Sequence, residues 1–314
     1  MLSCFNWKRV RQRKRMQKAF HCLHDRKKRG TLSGGSPGVS RTTLEILSAL
    51  LEHHRLPDVS IDEYRDSEGK TLLIAAAAAG HVDVVSYLLR VHGASPNQVD
   101  CKGWTALMCS AAFLKPKVAM MLLAQPDIDV NIAHTGGGTA LFLAAHSGLC
   151  DVVKRLIEMG ADVHKQNAAG FTALMLAIDG GHPEIAKVLI EAGSVVDNAD
   201  NLIGITALHL SVFVGDDATA EKILVCLSGD TGRKMRCINR RTRFGLSALH
   251  RAVASGHLTT VRLDARSYKT FLRSIPCSVP HSRFTCARPG SCSNTGEIQT
   301  LQRGRNATSR FSNR

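Results

Sequence analysis

Aromatic side chains are scarce in this chain: Phe, Trp and Tyr make up 5% of its 314 residues, although 44% are apolar. Any core must therefore be filled by aliphatic and small side chains. No two of the ten cysteines form a C-x-x-C pair, and several (Cys109, Cys226) sit inside apolar segments. They are expected to be reduced intracellular thiols rather than a disulfide framework. Long hydrophobic runs are also missing. The longest, Leu72 to Ala79, falls far short of the ~18 residues of a membrane span. The N-terminus is basic but has no apolar secretory core, so export is not expected. Acidic residues are nearly absent from both ends. Residues 1–40 carry eleven Lys/Arg and one Asp, and residues 233–314 carry seventeen Lys/Arg and two acids. Between them, residues 41–232 hold 13 basic and 23 acidic side chains. The net charge of +15 thus describes the ends, while the middle is acidic, and nucleic-acid binding by the whole protein does not follow.

What is present is a repeated phrase, a Thr (once Ser) followed two residues later by Leu. It occurs at Thr71, Thr105, Thr139, Thr172, Thr206 and Ser247, in steps of 34, 34, 33, 34 and 41 residues. A fixed period in this range predicts stacked helical units, each unable to bury its apolar face alone. In the copy Gly170 to Gly193, Thr172 stands where a helix N-cap belongs. Ala173 to Asp179 reads as a short apolar helix, and Gly180-Gly181 breaks it. Pro183 opens a second helix carrying Ile185, Val188, Leu189 and Ile190 at helical spacing, and Gly193 suits its C-terminus. Gly80-His81-Val82 with Leu88-Leu89, and Gly148-Leu149-Cys150 with Leu156-Ile157, follow the same grammar.

These residues closely resemble the ankyrin repeat, over roughly Glu68 to Val261. The resemblance implies an all-α solenoid of helix-turn-helix repeats with β-turn fingers. The family's Pro after Thr is Ala or Leu in every copy here, and its His survives only at His209 and His250. Those losses should soften units without changing the fold. Residues 67–262 are expected to form five full repeats and an incomplete sixth. The fifth has a long exit, Ser228 to Arg243, which holds about seven extra residues and carries six basic ones along its length. Residues 41–66 read as a degenerate N-terminal capping unit with Leu44, Leu47 and Leu51 on one helix face. Residues 1–40 read as a disordered basic arm and linker, and 263–314 as a disordered basic tail. The last repeat puts Asp264 and Ala265 where paired leucines belong, which suggests a truncated or alternatively spliced form of a longer array.

Several motifs dissolve on inspection. Gly69-Lys70-Thr71 mimics the end of a phosphate-binding loop but has Tyr64 in place of the leading glycine and is part of the repeat phrase. Gly34-Gly35-Ser36-Pro37-Gly38 matches a hydrolase elbow only literally, in a linker where Pro37 removes an N–H. His21, Cys22 and His24, or His53 with His54, lack partners at zinc spacing. Asn306-Ala307-Thr308 is a glycosylation sequon that matters only in a secreted chain. No catalytic, cofactor or metal residues are expected, and the chain is read as a non-enzyme.

Lys14-Arg15 and Arg26-Lys27-Lys28-Arg29, ten residues apart, resemble a bipartite nuclear localisation signal for an import receptor. A solvated basic tail is the plain alternative. Trp7, Met16, Phe20 and Leu23 in the same segment also suit a calmodulin- or anionic-membrane-binding helix, and the basic ends suit non-specific nucleic-acid contact. The expected compartment is intracellular, cytoplasmic or nuclear. The resemblance places the partner surface on the concave side. The finger positions Lys70, Trp104, Phe171 and Ile205 and the first-helix ends Phe113, His146, Asp179 and Phe213 are the candidates. Trp104 is the favoured anchor. The alternative has these aromatics packing on adjacent fingers or in the core. Asp100 and Asp179 favour a partner with basic patches. The function expected is a protein–protein interaction scaffold. The second reading is a regulatory or targeting part of a larger signalling protein or enzyme.

Overall fold

Short apolar segments between a Thr and a Gly become helices because both ends are chemically closed. Thr71, Thr105, Thr172 and Thr206 adopt extended backbone geometry, and each hydroxyl accepts from the backbone N–H three residues on, at 3.2–3.4 Å. Thr139 has the same extended geometry without that bond. The computed structural model describes residues 60–255, together with Gln17, Ala19, Phe20, Leu23 and Ser48. All of them fall in the unit Met1–Lys269.

Twelve α-helices lie within residues 60–255. In chain order they are α1 (Leu72–Ala79), α2 (Val82–His92), α3 (Ala106–Ala112), α4 (Pro116–Leu123), α5 (Ala140–His146), α6 (Cys150–Glu158), α7 (Ala173–Asp179), α8 (Pro183–Glu191), α9 (Ala207–Val214), α10 (Asp217–Cys226), α11 (Thr231–Asn239) and α12 (Ala248–Ser255). The helices α1, α3, α5, α7, α9 and α12 pack side by side as an inner row. Each has neighbours on several sides, so the six residues from Leu72 to Ala77 are all buried. This explains why inner helices lack a polar face and why small residues recur in them. The outer row, α2, α4, α6, α8 and α10, is amphipathic. In α6 only Val152, Val153 and Leu156 are buried, one stripe against the inner row. No strand forms among the described residues; two isolated bridges, Arg65 with Thr71 and Ala199 with Thr206, close two of the fingers.

The fingers are turns built on a local acceptor. Asp66, Asp100 and Asn167 each accept two backbone N–H bonds from their own turn through Oδ1, at 2.8–3.0 Å. The glycine that follows is left-handed: Gly69, Gly103, Gly137 and Gly170 have φ from 76° to 84°. Each lies against the next finger, where a Cβ would meet an atom at 2.5–3.0 Å. One backbone bond crosses each gap. Cys101, Thr135, Ala168, Asn201 and Arg243 N–H donate to Glu68, Lys102, Gly136, Ala169 and Ile203 O at 2.8–3.1 Å. At the opposite edge, Asn97 and Asn131 each donate to and accept from the backbone of the following repeat.

The long exit of the fifth repeat folds into α11. Asp230 caps it by accepting from Arg233 N–H at 2.9 Å, and Met235 and Ile238 are buried. Of the residues predicted as arm, capping unit and tail, those described are Gln17, Ala19, Phe20, Leu23, Ser48 and residues 60–66, where Ile61–Glu63 forms one 3-10 turn before the first finger. Gln17, Ala19, Phe20 and Leu23 are helical, and Ala19, Phe20 and Leu23 are buried.

The turn between inner and outer helix has a left-handed glycine at Gly80, Gly148, Gly181 and Gly215, but in the second repeat the same position is Leu114, φ 56°. A left-handed residue with a Cβ costs roughly 1–2 kcal/mol. Two substitutions should therefore move stability in opposite directions. Gly170→Ala should lower it by at least ~1–2 kcal/mol, because its Cβ would also press on Asn201 N at 2.6 Å. Leu114→Gly should raise it by up to about 1 kcal/mol. Urea unfolding followed by circular dichroism measures both.

Candidate functional site

Three surfaces collect side chains that the stack does not consume: the finger row, the C-terminal edge of the inner helices, and the α11 insertion. On the fingers, Lys70, Trp104, Phe171 and Ile205 are all half-buried. The structure shows what covers two of them. Trp104 stacks on His134 of the next finger, ring centroids 5.3 Å apart and 21° from parallel. His134 Nδ1 in turn accepts from Gly136 N–H at 2.9 Å, and its ring fills the space where Cβ atoms of Gly136 and Gly138 would sit. The triple glycine 136–138 is thus the seat of one imidazole. Lys70 is ion-paired with Glu68, which raises its pKa against the opposing effect of burial. It belongs to a finger, not to a phosphate loop.

One expectation is corrected. Asp100 does not face a basic partner. It is buried, and Oδ1 accepts from Lys102 and Trp104 N–H at 2.8 Å. Its carboxylate holds its own finger together.

The inner-helix edge is open. Phe113 is 52% and Phe213 57% exposed, and His146 and Asp179 between them are exposed as well. Next to Phe113, the left-handed Leu114 is 58% exposed. Comparing the inter-helix turn across copies could have found it, because Leu114 stands where every other copy has Gly. Lys115 lays its alkyl chain over Gly80, and His182 lays its ring over Gly148 with Nε2 3.1 Å from His146 O.

At the insertion, Arg233 holds Asp197 in a two-pronged pair, both contacts 2.7 Å. Asp197 occupies the position that Asn97 and Asn131 fill in earlier repeats. An amide there bridges to backbone, whereas a carboxylate there grips the guanidinium of α11. The hydrogen bonds from Arg233 hold the Asp197 carboxyl below the usual carboxylate range.

Among the described residues no group of three His, Cys, Asp or Glu could hold a metal. Burial pushes the Cys109 thiol up to about 12, so it is no nucleophile at neutral pH. Lys14, Arg15, Arg26, Lys27, Lys28 and Arg29 of the localisation-like clusters, the histidines near residues 21 and 53, Gly34–Gly38 and the sequon lie outside the described residues. No helix among the described residues is long and apolar enough to cross a membrane.

Paired helices stacked in two rows, with one finger per pair, define a stacked-repeat protein. A family model described as ankyrin repeats, in three copies, matches residues 39–134 and 129–200, over half of the chain. The chain belongs to the ankyrin-repeat family. Among its relatives is the ankyrin repeat-containing protein C6C3.08 of Schizosaccharomyces pombe, 32% identical over 30% of this chain and 41% of that protein. Alpha-latrocrustotoxin-Lt1a of Latrodectus tredecimguttatus is 32% identical over 38% of this chain and 8% of its own length. The ankyrin repeat and KH domain-containing protein CBG24701 of Caenorhabditis briggsae is 35% identical over 32% of this chain and 4% of its own. The aligned segment spans less than half the length of each of these relatives.

The Asp197–Arg233 pair gives a pH prediction. A carboxyl with a lowered folded pKa contributes fully above its unfolded value, ~3.9, and loses that contribution as pH falls through the folded value. Docking of α11 should therefore be constant from neutrality to about pH 5 and fade below about pH 4. Asp197→Asn should speed amide exchange across residues 231–239 about fivefold at pH 7, the ~1 kcal/mol of a partly exposed pair. Exchange rates corrected for intrinsic chemistry read this, and an unchanged rate in Asp197→Asn contradicts it.

Proposed function

We propose that the chain is a non-enzymatic interaction module that binds a partner protein through its fingers and inner-helix edge, the side that is concave in ankyrin stacks. The observation that carries this reading is the Phe113–Leu114 turn. The other four turns relieve left-handed geometry with glycine, while this one keeps an exposed leucine at φ 56° beside an exposed phenylalanine. Strain retained at an exposed apolar site has a use outside the fold. Phe213 and Val214 repeat the exposed apolar pair three repeats along. Asp179 and His146 provide polar contacts between them, and Trp104, Phe171, Ile205 and Lys70 offer their open sides from the finger row.

The second reading, a targeting or regulatory part of a larger protein, is supported by relatives in which the matching segment is 4–8% of the whole. In either case the stack does the binding. An import receptor recognising the clusters at residues 14–15 and 26–29 would place it in the nucleus. The buried Phe20 and Leu23 argue against calmodulin or membrane binding, which needs that apolar side free.

Leu114→Gly separates binding from folding, since it is expected to stabilise the stack. Affinity capture with quantitative mass spectrometry should recover the partner with wild type and at least tenfold less with Leu114→Gly or with Trp104→Ala/Phe171→Ala. Equal recovery by all three overturns the surface. Unfolding of the double mutant assigns Trp104 and Phe171 to the core.

A further inference from the structure

The fifth described finger is one residue longer than the rest, and its seam with the sixth is wider and more basic than the earlier ones. In fingers one to four the opening residue's N–H reaches a carbonyl four residues on; in the fifth, Asp200 N–H reaches Ile205 O. One surplus residue is accommodated because Asp200 accepts from Leu202, Ile203 and Ile205 N–H. In this finger Leu202 is 60% exposed, and the tip of finger six carries Phe244, 71% exposed, with Leu246 exposed behind it. Arg243 N–H donates to Ile203 O at 2.8 Å, so these are adjoining tips. The seam between them is open. A Cβ at Gly204 would meet nothing closer than 3.7 Å, against 2.5–3.0 Å at the four earlier finger glycines.

The same seam is ringed by arginine. The segment after α11 exposes Arg240, Arg241 and Arg243. Arg240 donates to Asp197 O at 3.4 Å, and among the described residues none of Arg240, Arg241 and Arg243 has an ion-pair partner. This basic strip is held in place by the buried Met235 and Ile238 and by the Arg233–Asp197 clamp, so little order is lost on binding.

We propose that the seam between the fifth and sixth fingers binds an acidic peptide segment that carries large apolar side chains. The arginine forks match carboxylates, and Leu202, Phe244 and Leu246 supply apolar area between them. A nucleic acid would also pair with arginine but leaves Leu202 and Leu246 uncovered. It would also extend over a repeat body in which acids outnumber bases 23 to 13, whereas a short acidic segment stays on the basic strip. This proposal rests on the reading of the chain as a partner-binding stack and adds a position and a partner chemistry to it.

The test uses the full chain and a synthetic peptide alternating Glu with Leu and Phe, carrying one benzophenone side chain. Crosslinks mapped by mass spectrometry should fall within residues 200–205 and 240–246. The Gln-for-Glu peptide should bind at least tenfold more weakly. Arg241→Gln/Arg243→Gln and Phe244→Ala should each weaken binding at least fivefold without moving the thermal midpoint. Should the double-arginine variant fail to fold, Phe244→Ala alone decides. Crosslinks confined to residues 1–40 or 263–314 overturn the proposal, as does displacement of the peptide by an equally charged single-stranded oligothymidylate. Crosslinks at Trp104, Phe113 or Phe213 overturn it too, but leave the general partner-binding reading standing.

Discussion

A single backbone hydrogen bond across each finger gap sets the geometry on which the rest of the stack depends. At the first four gaps it comes with an approach to the next finger close enough to exclude a Cβ at Gly69, Gly103, Gly137 and Gly170; at the fifth the bond forms with Gly204 left open. Once the fingers are spaced by these bonds, the Thr that ends each finger begins an inner helix in register with its neighbours. The inner helices then bury apolar surface on several sides at once. Every later feature follows from that spacing, including the row of half-buried finger residues and the open edge at Phe113 and Phe213.

The same constraint separates structural from available side chains. Asp66, Asp100 and Asp200 sit on the finger row, yet Oδ1 of the first two and both oxygens of Asp200 accept from N–H groups of their own turns. Acidity on this row therefore says little about a partner. What the fold leaves unspent is apolar at the inner-helix edge and basic at the insertion. The chain thus presents two chemically different surfaces, although its 41–232 segment is acidic as a whole.

The period made the fold legible, because a Thr N-cap, a glycine stop and a helical apolar stripe recurred together and left one architecture able to bury them all. Pro183 at the first turn of α8 and the apolar run of α1 read directly from the sequence. Less legible were features set by the neighbour across a gap. Trp104 reads as a projecting anchor until His134 is found beneath it, and that stack depends on an imidazole taking the place of an Asp thirty residues away. The basic exit of the fifth repeat reads as a longer loop. It is a helix because Asp230 caps it and Asp197, one step off the Asn of earlier repeats, receives Arg233. Both signals were in the sequence, but only alignment of the copies against each other brings them out.

The central claim is that partner binding falls on the fingers and the inner-helix edge, with the outer helices serving as support. The most direct measurement is an amide exchange footprint of the full chain with and without its captured partner. The account predicts added protection at residues 100–105, 112–115, 146–149 and 213–216. Protection confined to α2, α4, α6, α8 and α10, with the fingers unchanged, would contradict it.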